Sequence, residues 1–369
     1  MKFENIAIIG SGTMGTGIAQ TLAVSGYYVT VMDTQKESLR KCVDTISHNL
    51  ERMVKKGKMH SDEKEEILRW VRTTLDIQKA VKNVDLIIEA VTEDLNIKKE
   101  VFHKVSLFAP EESIITSNTS SFGINQLSSY VKKPERFLGL HFFNPAPVME
   151  LVEVVKGEQT RGEYVEGIVN FVKTLNKTPI IVQKDIPGFI VNRILIPTIT
   201  LGIHDLKKWS KEEIDSTMHY EYGLPMGVIK LADFIGLDVV NHINENIGLI
   251  ETPNILRELV KNGKLGRKTG IGFYDWENKA PEIKDQLGIY PGMRLISTMV
   301  AIAVELASLG VAKPEVIDMA FKLGTNVPKG PFELLKEKDF DEIISTLNTL
   351  HKEFRSPIFI APEPKTKTL

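Results

Sequence analysis

Asn5-Ile6-Ala7-Ile8-Ile9-Gly10-Ser11-Gly12-Thr13-Met14-Gly15 opens the chain on a short apolar run that breaks into Gly-x-Gly-x-x-Gly. A second apolar run, Tyr28-Val29-Thr30-Val31-Met32, closes on Asp33. Strand, glycine turn, helix, strand and acid in that order predict a dinucleotide-binding β-α-β unit. Gly10 permits the tight turn, Gly12 lets the backbone approach a pyrophosphate, and Gly15 lets helix and strand pack closely. The free N–H groups of the helix that begins near Thr13 and Met14 oppose the phosphate charge. Asp33, roughly 20 residues further on, suits a ribose diol and repels a 2′-phosphate. No arginine follows it, so the reading is NAD rather than NADP. A glycine-rich turn in some other α/β domain would leave Asp33 unexplained.

Outward from this unit, apolar strand-like runs recur at 5–9, 28–32, 85–89, 113–117, 137–141, 150–155 and 179–183, with helical stretches between them. That alternation predicts a mostly parallel sheet covered on both faces, over residues 1–184. The stretch 36–70 is longer than a crossover needs. It reads as a helical hairpin inserted after the second strand and broken near Lys55-Lys56-Gly57-Lys58.

At Asp185-Ile186-Pro187-Gly188 the pattern turns helical, with short Gly and Pro breaks. The fold class is therefore an α/β Rossmann-type N-terminal domain followed by an all-α C-terminal domain, over 185–280. Residues 288–360 read as a second, degenerate copy. Pro187-Gly188-Phe189 is echoed by Pro291-Gly292-Met293, Ile214-Asp215 by Ile317-Asp318, and Gly223-Leu224-Pro225-Met226-Gly227 by Asn326-Val327-Pro328-Lys329-Gly330. Either a helical unit is duplicated, or helix starts and Pro-x-Gly turns recur by chance. Pro362 to Leu369 reads as a disordered tail.

The chain has 369 residues, 42% hydrophobic and 25% charged, with net charge −2. These values describe an ordinary globular protein of two or three domains and give no overall reason to expect nucleic acid or an anionic membrane as partner. No apolar run approaches membrane-spanning length. The single cysteine, Cys42, excludes an internal disulfide and lacks the neighbours of a zinc site, so no metal is expected. It reads as a small core residue on a helix. With the first strand starting almost at once and no room for a signal peptide, the expected location is cytoplasmic.

Hydride transfer also needs a base for the hydroxyl proton. His141, in Leu140-His141-Phe142-Phe143-Asn144-Pro145, ends an apolar strand on the side where open α/β sheets bind ligands. In Glu150-Leu151-Val152-Glu153-Val154-Val155, alternation puts Glu153 on a face with Leu151 and Val155, where a carboxylate needs a partner. Spacing alone leaves two readings: a His141–Glu153 dyad, or a hydrogen-bonded strand-end histidine and a glutamate exposed at an edge. Ser117-Asn118-Thr119-Ser120-Ser121 is either a polar loop of the site or a helix cap. Asn192-Arg193 interrupts the apolar Phe189-Ile190-Val191 run, where a buried amide would face either the first domain or nothing.

These residues resemble the NAD-dependent (S)-3-hydroxyacyl-CoA dehydrogenases (3-hydroxybutyryl-CoA dehydrogenases) over nearly the whole chain. The resemblance rests on the Gly10–Gly15 fingerprint, Glu89-Ala90-Val91-Thr92-Glu93, the 117–121 run, His141-Phe142-Phe143-Asn144-Pro145, Pro187-Gly188-Phe189-Ile190-Val191-Asn192-Arg193 and Gly266-Arg267-Lys268-Thr269-Gly270-Ile271-Gly272-Phe273-Tyr274. It implies an acyl-CoA thioester substrate, His141 as general base and Glu153 as the carboxylate orienting it. It places Ser120 and Asn192 at the substrate's C3 oxygen and nearby thioester, with Asn144 supporting the site. Asp33, Glu93, Lys98 and Asn118 fall where the family contacts NAD. Lys55 and Lys56 match basic positions that meet the CoA phosphates, or are a solvated basic turn.

Compact members of the family end soon after Gly272-Phe273-Tyr274, whereas this chain continues. Larger relatives fused to an enoyl-CoA hydratase also carry two helical copies, but nothing here resembles the hydratase half. The second copy places Leu295 and Ile296 where the first has Asn192 and Arg193, or Ile296 and Ser297 if the alignment slips by one. It cannot repeat the polar contact, so a structural role is expected. In compact members the helical domains of two subunits pair. The second copy is expected to fill that place within one chain, leaving a monomer or a weakened homodimer. Two other readings compete: a Rossmann-plus-helical dehydrogenase of a small hydroxy acid, which would generally use a lysine base, and a non-enzymatic, crystallin-like structural relative.

Overall fold

The computed structural model describes residues 3–277, 280–286 and 288–360; the expected tail at 362–369 lies outside them. The chain divides into two compact units at Ile186/Pro187.

In the first unit, eight strands form one sheet in the order β3-β2-β1-β4-β5-β6-β7-β8. They are β1 (Asn5–Ile9), β2 (Tyr28–Met32), β3 (Val71–Thr74), β4 (Leu86–Glu89), β5 (Ile114–Ser117), β6 (Phe137–Phe142), β7 (Leu151–Val155) and β8 (Thr178–Val182). Every expected strand is present within a residue or so of its expected bounds. The edge strand β3 was not expected. Its sequence, Val-Arg-Thr-Thr, buries no residue fully, so it carries no apolar run to read. All pairings are parallel except β6 with β7. The helices are α1 (Thr13–Val24), α2 (Lys36–Lys55), α3 (Ser61–Trp70), α4 (Ile77–Val81), α5 (Leu95–Phe108), α6 (Ile124–Ser128) and α7 (Gly162–Thr174).

Strands β4 to β7 are buried at every residue, as a sheet covered on both faces requires. On one face Ile18 and Leu22 of α1, Leu39, Cys42, Ile46 and Leu50 of α2, and Ile168 and Phe171 of α7 join the strand side chains in one core. Cys42 is a core residue of that layer, 1% exposed. Elsewhere Phe102 of α5 meets Phe137 of β6 edge to face, with ring centroids 5.1 Å apart. The inserted hairpin is α2 and α3, held by a 2.8 Å ion pair between Lys64 and Glu51. Glu63 accepts the His60 N–H at 2.7 Å and so caps the start of α3.

The second unit is helical: α8 (Val191–Asp205), α9 (Lys211–Ser216), α10 (Val228–Ile235), α11 (Leu237–Ile247), α12 (Asn254–Lys261), α13 (Met293–Ser308), α14 (Pro314–Thr325), α15 (Pro331–Glu337) and α16 (Phe340–Phe354). One arrangement occurs twice. Asp215 accepts the N–H groups of Ile229 and Lys230, 14 and 15 residues on, and so caps α10. Asp318 accepts those of Phe332 and Glu333, at the same separations, and caps α15. A Cβ on Gly227 or Gly330 would lie 2.2 or 2.4 Å from the respective aspartate, which accounts for a glycine at both places. Arg193, near the start of α8, pairs with Glu305 near the end of α13 at 3.0 Å. Arg294, near the start of α13, pairs with Asp205 at the end of α8 at 2.7 Å. The two helices therefore run antiparallel, with an arginine–carboxylate pair at each end.

No helix among the described residues is long and apolar enough to cross a membrane.

Candidate active site

The strand order reverses between β1 and β4, the place where open α/β sheets leave a crevice beyond the strand ends. The fingerprint turn and the segment after β4 meet there. Gly10 has φ +108°, and a Cβ on it would lie 2.4 Å from the Ala90 carbonyl oxygen. A Cβ on Gly15 would lie 1.9 Å from the carbonyl oxygen of Gly10, whereas one on Gly12 would meet nothing within 4 Å. Two glycines are thus imposed by packing. The third keeps an open cradle at the start of α1, whose first turn has no side-chain cap. This fits a pyrophosphate.

Asp33 stands beside the turn. Its Oδ2 accepts the Ser11 N–H at 2.9 Å and the Ser11 hydroxyl at 2.7 Å, and its Oδ1 accepts the Gln35 N–H at 3.0 Å. Burial pushes its acidity toward weaker, but the Ser11 and Gln35 bonds outweigh it and hold the carboxyl below its usual range. Asp33 is an anion at neutral pH, as a ribose ligand requires. The part of Ser11 in fixing it was not foreseen, because position x of the fingerprint carries no residue preference.

The antiparallel pairing of β6 and β7 puts His141 directly opposite Glu153, so both side chains leave the same face. Nδ1 of His141 lies 2.7 Å from Oε2 of Glu153. Glu153 is fully buried and His141 is 5% exposed. The two side chains are hydrogen-bond partners, and Glu153 is not exposed at an edge, because β7 lies inside the sheet, between β6 and β8. With its Nδ1 proton donated to the carboxylate, the ring keeps Nε2 as a lone-pair base. The Phe143 ring packs at 4.5 Å against the imidazole.

The 117–121 loop is tied at both ends. Asn118 Oδ1 accepts the Phe142 N–H at 2.8 Å, fixing the residue after His141. Glu93 Oε1 accepts the N–H groups of Ser120 and Ser121 at 3.1 and 3.2 Å, the Ser121 hydroxyl at 2.8 Å, and the Thr119 hydroxyl. Lys98 lies beneath, bonded to Glu89 at 2.7 Å and Glu93 at 3.0 Å. Burial works against charge on Glu93, but the Lys98 ammonium and the Thr119 and Ser121 hydroxyls outweigh it and keep its pKa low. Burial likewise disfavours the Lys98 cation, and the two carboxylates outweigh it, raising its pKa.

The first unit therefore gathers Asp33, Glu93, Lys98, Asn118, Ser120 and His141 at or beside the carboxyl ends of its strands, with Glu153 opposite His141 on the antiparallel β7. Asn144 is exposed and joined to Pro145 by a cis peptide. Lys55 ends α2, exposed and 3.8 Å from Glu51, and Lys56 follows it, also exposed. Asn192 belongs to the second unit, half-buried in the first turn of α8. The Gly266–Tyr274 motif is a buckle around a buried carboxylate. Asp233 accepts the N–H groups of Phe273 and Tyr274 and the Trp276 indole N–H at 2.8–3.0 Å, and a Cβ on Gly272 would strike it at 2.1 Å. Glu89 went unassigned in the sequence reading. The signal was a carboxylate closing the apolar Leu86-Ile87-Ile88 run.

A dinucleotide cradle after β1, with a histidine bonded to a buried carboxylate near the end of β6 in the same sheet, is the equipment of a nicotinamide-dependent dehydrogenase that moves a hydroxyl proton. The chain belongs to the 3-hydroxyacyl-CoA dehydrogenase family. The model of that family's NAD-binding domain matches residues 5–186, and the model of its C-terminal domain matches 188–276 and 290–369. A 3-hydroxybutyryl-CoA dehydrogenase of Clostridioides difficile is 42% identical over 280 residues, covering 73% of this chain and 99% of the relative. The mitochondrial hydroxyacyl-coenzyme A dehydrogenase of Mus musculus is 39% identical over 74% of this chain and 91% of its own length. The crystal structure of 3-hydroxybutyryl-CoA dehydrogenase from Escherichia coli K12 aligns over 100% of this chain and 98% of that one, with a TM-score of 0.89 and 27% identity.

Proposed function

We propose that the protein interconverts (S)-3-hydroxyacyl-CoA and 3-oxoacyl-CoA with NAD, using His141 as base and acid. The observation that carries this reading is the 2.7 Å contact between His141 and buried Glu153 at the strand ends. NAD, when bound, supplies the acceptor for the hydride from C3. Gly10, Gly12 and Gly15, with Thr13 and Met14 at the start of α1, would hold its pyrophosphate, and Asp33 its ribose. During oxidation, Nε2 of His141 takes the 3-hydroxyl proton, and Glu153 stabilises the imidazolium that forms. During reduction His141 returns the proton. Ser120 and Asn192 hold the C3 oxygen and the nearby thioester, Asn144 supports the site, and Lys55 and Lys56 meet the CoA phosphates. The test is turnover of a CoA thioester against the matching free acid.

We also propose that residues 288–360 are a second helical copy that takes, within one chain, the place of a partner's helical domain. The repeated Asp215 and Asp318 caps support this, as does the antiparallel packing of α8 on α13, with an arginine–carboxylate pair at each end. Two equivalent helices meet in this way across the twofold axis of an isologous interface. Light scattering in solution is expected to give one chain's mass. A dimer buried through residues 185–275 of both chains would overturn the proposal.

A further inference from the structure

Ser11 binds the carboxylate beside the nucleotide cradle twice through one oxygen. Its N–H donates to Oδ2 of Asp33 at 2.9 Å, and its hydroxyl donates to the same atom at 2.7 Å. Oδ1 takes the Gln35 N–H at 3.0 Å. Ser11 is itself held in place and only 6% exposed. The Thr16 hydroxyl of α1 donates to its carbonyl oxygen at 2.9 Å, and the Gly10 N–H beside it donates to the Met32 carbonyl oxygen of β2 at 2.8 Å. Three donors from the turns that follow β1 and β2 therefore converge on one carboxylate. Oδ2 is committed to Ser11, and Oδ1 keeps the capacity for a ribose hydroxyl.

We propose that Ser11 is a specificity-determining residue for the cofactor: its two donors hold Asp33 ready for the ribose of NAD and, being engaged by Asp33, are withheld from a 2′-phosphate. The proposal rests on Asp33 meeting the ribose. The first part is preorganisation. A carboxylate whose rotamer is already fixed loses no further freedom when the ribose arrives, whereas one released from the Ser11 hydroxyl does. The second part is exclusion. Asp33 repels a phosphate by its charge, and it also fills the group of donors in which a phosphate would sit. Without the carboxylate, the Ser11 N–H, the Ser11 hydroxyl and the Gln35 N–H are left as an anion site. Hydrogen bonds to an ionised acceptor are the stronger kind, so that site favours a 2′-phosphate over a ribose hydroxyl.

The test is a cycle of Ser11→Ala, Asp33→Ala and the double variant, with NADH and NADPH affinities read separately by fluorescence titration. Ser11→Ala is expected to weaken NADH roughly 5-fold, the cost of ordering one freed side chain, and to leave NADPH as weak as in the wild type. Asp33→Ala is expected to weaken NADH and to tighten NADPH by at least about 10-fold, as charge-assisted hydrogen bonds replace repulsion. In the double variant NADH is expected to fall little below its level in Asp33→Ala, because the two residues act on one contact. NADPH is expected to weaken roughly 10-fold relative to Asp33→Ala, through loss of one hydrogen bond to a charged group. Unchanged NADH affinity in Ser11→Ala, equal weakening of both cofactors by it, or a double variant that binds NADPH as tightly as Asp33→Ala would overturn the proposal. Ser11→Gly likewise removes the hydroxyl and keeps the N–H, and it carries the test if Ser11→Ala does not fold. Unchanged affinities for both cofactors in Asp33→Ala would sink the ribose reading of Asp33 and the proposal with it, whereas failure of the wild type to turn over a CoA thioester would sink the substrate reading alone.

Discussion

Replacing His141 with alanine is expected to lower kcat for the thioester about 100- to 10,000-fold, the range that a positioned acid–base group contributes. NADH binding is expected to survive, because the cradle at Gly10–Gly15 and Asp33 is built from other strands. The substitution also leaves Glu153, fully buried, without its imidazole donor. A cost of about 1–3 kcal/mol in stability follows, and it must be separated from the loss of chemistry. His141→Gln does so: its amide can still donate to Glu153, so stability recovers while the base stays absent. Steady-state kinetics with thermal unfolding of both variants checks this. Activity restored by glutamine would show that His141 serves only the fold.

Glu153→Gln is expected to lower kcat by roughly 1,000- to 10,000-fold with little change in KM, as when the orienting carboxylate of a catalytic histidine becomes an amide. Two effects add. The amide no longer stabilises the imidazolium. Its NH2 can also turn toward Nδ1, which favours the tautomer that carries its proton on Nε2 and cannot act as base. The swap keeps volume inside β7, where every residue is buried, so the fold is expected to hold. Kinetics and circular dichroism decide the matter. A folded variant within about threefold of wild type, well short of the expected loss, would remove Glu153 from the mechanism.

The parts of this molecule that were legible in its sequence are those where one residue type has one physical use. Gly10 and Gly15 could be read because no Cβ fits at either position. Apolar runs marked seven of the eight strands, and β3 escaped because an edge strand of Val-Arg-Thr-Thr has nothing to bury. The His141–Glu153 pair was only half legible. Spacing supplied two candidates but not the direction of β7, although the short connection from Phe143 to Glu150 favours an antiparallel return over a parallel crossover. The Glu89–Lys98–Glu93 series was not legible at all. Helix periodicity can place Lys98 on α5, but only the packed fold shows which carboxylates lie above and below its ammonium. The Gly266–Tyr274 run identifies the family strongly, yet it folds around Asp233 and serves structure.

The most direct test of the central claim is NADH oxidation followed by absorbance with acetoacetyl-CoA, run beside free acetoacetate and beside the His141→Ala variant. Rapid turnover of the thioester is expected, lost in the variant and absent with the free acid. Turnover of acetoacetate at a comparable rate, or none of either despite tight NADH binding, would contradict the reading of this chain as a 3-hydroxyacyl-CoA dehydrogenase working through His141.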